Sequence, residues 1–150
     1  MNLDLPYISG KNVLIIGYPA TGKTYVSRLI DKNSHSIIHT DDYKNSYSFN
    51  EYPTSLIKRI NSETRNTLVE GILGYIMLLE GARRRTYYPD IVIEIKSNLQ
   101  CVEKTYMRER EYHKFFFLNN FNVELENILQ SYKRENKKNF PQWEVIYNIY

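Results

Sequence analysis

Four residues, Gly17, Gly22, Lys23 and Thr24, stand in the spacing G-x-x-x-x-G-K-[ST] within the stretch Gly17-Tyr18-Pro19-Ala20-Thr21-Gly22-Lys23-Thr24. The chemistry of that spacing is phosphate binding. The two glycines let the backbone bend until several N–H groups face inward on an anion. A helix opening near Lys23 adds the positive end of its dipole. Lys23 is placed to reach the β- and γ-phosphates of a nucleoside triphosphate, and Thr24 to set its hydroxyl on Mg²⁺. The cofactor-binding expectation covers every residue from Gly17 to Thr24: Tyr18, Pro19, Ala20, Thr21 and Gly22 as backbone donors, Lys23 and Thr24 through their side chains.

Three further groups could complete a phosphoryl-transfer site. In Asp41-Asp42-Tyr43, one carboxylate can accept a proton from an attacking hydroxyl or orient it, and the other can hold water on Mg²⁺. The alternative use of such a pair is a cap or an Asx turn. Glu70, followed by Gly71, can hold a water on Mg²⁺ or touch the substrate; otherwise it is a strand-end charge facing solvent. Arg108, Arg110 and Lys114 could stabilise the charge that spreads over a moving phosphoryl group. Arg108 and Arg110 lie two apart, so on a continuing helix they cannot face the same way. Arg83-Arg84-Arg85 reads either as a phosphate contact or as the cationic end of a helix. The expected substrate contacts are therefore Asp42, Tyr43, Glu70 and Arg83, and the expected metal ligands Thr24, Asp42 and Glu70. His35, His39 and His113 show no metal-ligand spacing, and Trp143 reads as core.

These residues need elements that position them. Val13 to Ile16 is a short apolar run with β-branched residues, the pattern of a strand buried on both faces, and a helix to about Lys32 follows the loop. Ser36–His39 predicts a second strand, Lys44 to Pro53 a polar loop, and Thr54 to Arg65 a helix opened by Pro53 or Thr54. Thr67–Glu70 predicts the third strand, Ile72 to Arg83 a helix, and Ile91–Ile95 the fourth strand. Ser97 and Gln100 form a capping-box pattern for the next helix. Asn122 is placed to cap a last helix carrying Leu125, Ile128, Leu129 and Tyr132, with Glu124 and Glu126 in its first turn, Lys137-Lys138 at its end and Pro141 as its stop. Trp143 to Tyr150 alternates as a fifth strand. Strands alternating with helices imply a parallel α/β sheet. Ligands bind such sheets beyond the carboxyl ends of the strands, where Gly17, Asp41 and Glu70 all fall.

The chain has 150 residues, enough for one domain with a real core. Hydrophobic residues are 42% and charged residues 25%, which is ordinary for a globular protein. A net charge of +3 is too mild for a dedicated nucleic-acid binder, although the basic residues cluster. The 14 tyrosines suit half-buried walls better than base stacking. A single cysteine, Cys101, rules out an internal disulfide framework and fits a reducing compartment. No secretory pattern opens the sequence, and the apolar run Ile72 to Leu79 is too short to span a bilayer, so a cytoplasmic location is expected.

Taken together, these motifs resemble the small P-loop kinases of the nucleoside monophosphate kinase-like group. Gly17, Pro19, Gly22, Lys23, Thr24 and then Asp41-Asp42-Tyr43 are similar to the kinase domain of polynucleotide kinases. The Asp-Asp-aromatic element and Val69-Glu70-Gly71 are similar to uridine kinase and nicotinamide riboside kinase relatives. The resemblance implies a P-loop NTPase three-layer sandwich: a mainly parallel five-stranded sheet with flanking helices, in one domain spanning 1–150, with a short lid at about 107–118. It implies an ATP- and Mg²⁺-dependent kinase in which Asp41 is the general base and Lys23, Arg108 and Arg110 assist transfer. Ala20-Thr21 replaces the usual small-Ser pair, and no complete substrate-recognition motif is present, so the acceptor stays open. A nucleoside-like small molecule fits the compact chain. A 5′-hydroxyl or hydroxymethylated base of a polynucleotide fits the Asp-Asp-Tyr match. A nucleotide-dependent switch with no phosphorylated acceptor is the reading of another class.

Overall fold

A computed structural model describes residues 6–17, 27, 34–43, 52–71, 73–97 and 121–148. Five strands, β1 (Val13–Gly17), β2 (Ser36–His39), β3 (Thr67–Glu70), β4 (Ile91–Ser97) and β5 (Gln142–Asn148), form one sheet in the order β2-β3-β1-β4-β5. All four pairings are parallel. The described helices are α1 (Tyr52–Asn61), α2 (Gly74–Arg83) and α3 (Phe121–Glu135).

The apolar run of β1 makes it the centre of the sheet, buried along its whole length. Its alternate side chains enter two cores. Leu14 and Ile16 join Val69 and Val92 under Leu56, Ile57 and Ile60 of α1, Tyr75, Met77 and Leu78 of α2, and Leu125 and Leu129 of α3. Val13 and Ile15 join Leu68, Ile91, Ile93, Ile95 and Ile146 on the opposite face. Each such fully buried side chain contributes about 1.5–3 kcal/mol from removal of apolar surface from water. Among the tyrosines, Tyr75, Tyr87 and Tyr132 are core, whereas Tyr7, Tyr88 and Tyr147 are exposed. Burial, with Tyr88 nearby, pushes the Tyr132 hydroxyl up to about 12.

Helix boundaries depart from the sequence pattern for identifiable reasons. α1 begins at Tyr52 and ends at Asn61, short of the expected Arg65. The Ser62 hydroxyl donates back to the Arg59 carbonyl (2.6 Å), and the Ser36 hydroxyl draws the Glu63 carboxylate toward β2 (3.0 Å). The helix expected from Ile72 starts at Gly74, where the amide closes a turn onto the Gly71 carbonyl (3.1 Å). Asn122 lies inside α3 as its second residue rather than capping it, and Glu126 falls beyond the first turn. Asn136 closes α3 by bonding the Tyr132 carbonyl through both its backbone and side-chain amides (3.1 and 2.9 Å), well before Pro141. Lys137-Lys138 therefore follow the helix, and Lys133 and Arg134 occupy its last turn. β4 runs on to Ser97 because β5 pairs with it as far as Asn148. Trp143 is only partly buried: its ring stacks on Phe140 at 5.1 Å and its indole N–H donates to Glu94 (3.1 Å). Among the described residues no helix is long and apolar enough to cross a membrane.

One close contact holds the end of α2. The Thr86 amide bonds the Gly81 carbonyl (2.8 Å) and the Arg85 amide bonds that of Ala82 (3.2 Å), a Schellman closure with Arg85 at φ 56°. The returning chain lays Tyr87 against Gly81, where an added Cβ would meet the Tyr87 Cβ at 2.6 Å. Gly81→Ala is expected to destabilise the protein by about 1–3 kcal/mol through overpacking, seen as a lower urea midpoint at unchanged m-value.

Candidate functional site

The sheet order brings three strand ends together. β3 lies between β2 and β1, with His39 opposite Glu70 and Ile15 opposite Glu70 on its other side. Gly17, which ends β1 and opens the glycine-lysine loop, is two residues beyond Ile15 on the same face. Glu70 is thus flanked by the strand that leads into the loop and by the strand that leads into Asp41. Residues Tyr18 to Thr24 lie outside the described residues, as do Arg108, Arg110 and Lys114; Ser27, in the segment after the loop, is helical and buried.

The edge is tied by short contacts. Glu70 is 5% exposed, and its Oε1 accepts a hydrogen bond from His39 Nδ1 at 2.5 Å. A carboxylate oxygen accepts, so Nδ1 carries the ring proton. One residue on, Thr40 is fully buried and Gly71 takes φ 143°; a Cβ on Gly71 would stand 1.8 Å from Thr40 Oγ1. The Gly71 amide reaches the Ile15 carbonyl at 3.4 Å. Glycine is needed here both for its backbone angle and for the absence of a side chain. A 3₁₀ turn, Thr40–Tyr43, follows β2 directly and carries Asp41, Asp42 and Tyr43; Asp42 is exposed. The convergence of Gly17, Asp41 and Glu70 on one edge, expected from their positions after strands, is what the topology produces.

Arg83 does not join them. α2 leaves the site edge after Gly71 and runs back for ten residues, about 15 Å, so Arg83 emerges at the opposite edge. There its Nε and Nη2 grip the two Glu135 oxygens of α3, each at 2.8 Å. Glu135 holds the guanidinium above its ordinary value and is itself held below the usual carboxylate range by Arg83. Arg84 is likewise occupied, by Thr54 (2.8 Å) and Glu80 (3.3 Å). The expected substrate contact by Arg83 is therefore corrected: the residue is an interhelical ion-pair partner. That same far edge carries an open groove of about 480 Å³, lined by Asn12, Glu63, Arg65, Thr67 and Tyr88. Its polar groups are largely consumed in joining strands, as where Asn12 Oδ1 accepts from the Thr67 amide (3.0 Å).

Two buried or half-buried groups were not anticipated. His39 was set aside for want of metal-ligand spacing, yet it is the partner of Glu70. The available signal was positional: both residues terminate four-residue strands, and parallel neighbours align such ends. Glu94, buried in β4, is the second; it interrupts the apolar run Ile91–Ile95 and bonds Trp143. His35, by contrast, is structural, its Nε2 bonded to the Lys11 carbonyl (2.8 Å).

No protein-family model and no curated protein matches this sequence. Solved structures do match. The chain is similar to a shikimate kinase from Acinetobacter baumannii in complex with shikimate, with TM-score 0.56, 15% identity, and coverage of 93% of this chain and 84% of that one. It is also similar to a deoxyadenosine kinase from M. mycoides with products dCMP and a flexible dCDP bound, with TM-score 0.54, 12% identity, and coverage of 90% and 88%. At these identities the likeness concerns architecture: the five-stranded parallel sheet with its flanking helices is the fold of P-loop kinases.

Proposed function

We propose that the chain transfers the γ-phosphate of ATP to a hydroxyl of a nucleoside-like small molecule. The observation that carries this reading is the shared edge: Gly17 opens a phosphate-binding sequence beside Glu70, and through His39 beside the turn that bears Asp41. Lys23 and the amides of the loop bind the phosphates. Asp41 takes the proton of the acceptor hydroxyl, and Arg108 or Arg110 meets the charge that develops in transfer. The donor set near the loop suits Mg²⁺, which favours a hydroxyl, one carboxylate, water and phosphate over an all-protein cage. Thr24 fits that description together with Asp42 or Glu70, and among the described residues no cluster of three His, Cys, Asp or Glu side chains competes with it. Mg²⁺ would supply charge neutralisation at the phosphates. A small acceptor is favoured over a polynucleotide because Arg83 and Arg84, which a nucleic-acid phosphate would need, are at the far edge in ion pairs. The two similar structures hold small molecules as well.

The test is transfer of label from γ-labelled ATP with Mg²⁺ to nucleosides, nucleotides, polyols and 5′-hydroxyl or base-modified oligonucleotides. Label is expected in a small hydroxyl compound. Asp41→Asn is expected to lower turnover by about 10²–10⁴-fold with ATP binding kept. Label in oligonucleotides alone would favour the polynucleotide reading. ATP hydrolysis with no acceptor labelled, undiminished in Asp41→Asn, would favour a nucleotide-dependent switch.

A further inference from the structure

β5 is the last strand of the sheet, and one bond sets the phase of its backbone. The Gln142 amide donates to the Asp90 carbonyl (3.2 Å), just ahead of β4, the strand it pairs with. Backbone groups of successive strand residues point to alternate sides, so Glu144 and Ile146 also face β4. Trp143, Val145 and Tyr147 therefore turn their N–H and C=O groups away from the sheet. Among the described residues no strand lies beyond them. The side chains of these three residues stand on one face of the sheet, where Trp143 packs against the core beside α3, with Lys133 Nζ 5.0 Å from its ring. Val145 is 39% exposed and Tyr147 68%, and Phe140, stacked on Trp143, is 40% exposed.

Edge strands are ordinarily blunted by brevity, lysine or proline. β2, the opposite edge, is short: it has four residues, none of them exposed. β5 has seven residues with no lysine or proline, and its one charged side chain, Glu144, lies on the face opposite Val145. Its outward residues are complementary to themselves. Two copies laid antiparallel about an axis at Val145 set Val145 against Val145, and Trp143 against Tyr147 on either side. Every member of these pairs faces outward, so each pair exchanges both of its backbone bonds. One face then carries two aromatic pairs around a β-branched pair, the combinations that stabilise neighbouring strands. On the other face Glu144 falls opposite Ile146, so no like charges meet head on. A slip of one residue would set outward groups against inward ones. We propose that β5 is a dimerisation edge, through which a second copy of this chain joins its five-stranded sheet to the first about a two-fold axis at Val145. Such a contact closes on itself and stops at two copies. The antiparallel arrangement sends the two candidate sites to opposite ends of the joined sheet, so the inference does not depend on the kinase reading.

The test is sedimentation of the full-length protein over about 1 to 300 μM. Pairing along a single edge lies at or below the low end of the about 1,200–2,000 Å² of stable interfaces, so the dimer is expected to depend on concentration. The mass should rise from 17.9 kDa toward twice that value. Val145→Lys sets two ammonium groups against each other at the axis and should weaken association at least about tenfold, with the circular dichroism unchanged. Val145→Glu should do the same. A mixture of the two variants should regain a one-to-one dimer, because a two-fold axis at this residue brings the opposite charges together. Should Val145→Lys fail to fold, Tyr147→Lys, at the most exposed side chain of the row, should weaken association in its place. A wild-type chain that stays monomeric throughout would overturn the proposal. A dimer that these lysines leave unchanged would also overturn it, since the interface would then lie elsewhere. A mixture of Val145→Lys and Val145→Glu that stays monomeric would overturn the register at Val145.

Discussion

Lys23→Ala is expected to lower phosphoryl transfer by about 10²–10³-fold, the loss typical of removing one preorganised charge-stabilising donor. The residue follows Gly22 in the loop that begins where β1 ends, and β1 is the central, wholly buried strand of the sheet. A phosphate-binding segment that starts from such a strand starts from a rigid frame, and a preorganised cation stabilises transition-state charge at a smaller cost in entropy than a recruited one. An ammonium group that approaches the β- and γ-phosphates does more in transfer than in binding, because charge moves onto the bridging and equatorial oxygens as the bond to the leaving group lengthens. The loss should therefore appear mainly in kcat, with a smaller weakening of ATP binding by calorimetry. Thermal stability without ligand should be unchanged. Wild-type turnover in this variant would sink the phosphate-site reading itself.

Gly71→Ala is expected to be the most damaging single-methyl change described here. Two penalties combine. The backbone at φ 143° is one that residues with a Cβ rarely adopt, at a cost of about 1–3 kcal/mol. The new methyl would also stand 1.8 Å from the oxygen and 2.9 Å from the Cβ of Thr40, which is fully buried and has nowhere to move. Overpacking of that kind costs about 1–3 kcal/mol more. Against a total stability of about 5–15 kcal/mol, the sum, roughly 4 kcal/mol, should lower Tm by about 8–16 °C. The effect on function should exceed the effect on stability, because relief of the clash requires β2 and β3 to part where His39 meets Glu70 and Asp41 begins. Thr40→Ala in the same chain removes the hydroxyl and methyl that collide, but not the backbone strain. The double variant should recover part of the lost Tm, a non-additive result expected of residues in contact. Full additivity would mean that the two residues do not press on each other.

Much of this protein was legible residue by residue. The strand cores of β1 to β4, the alternation of strand and helix, and the placing of Gly17, Asp41 and Glu70 just beyond strand ends all follow from local hydrophobic periodicity, which a chain displays before it folds. Helix ends were read less well. Ser62, Gly71 and Asn136 set them through hydrogen bonds with residues that periodicity does not weigh. The three-arginine run was ambiguous for a related reason: its meaning depends on which edge of the sheet α2 returns to and on a Glu135 that lies 52 residues away.

Sequence alone determined the parallel α/β scaffold and the G-x-x-x-x-G-K-[ST] spacing that leads to the phosphate-site expectation, because strand patterning and loop motifs are encoded in contiguous residues. Tertiary structure decided the neighbours. Only the insertion of β3 between β1 and β2 sets His39 against Glu70 across 31 residues of chain, presses Gly71 onto Thr40, and carries Arg83 to the far side. Strand order is chosen by how two apolar faces are best covered at once, a property of the whole sheet that no single segment contains.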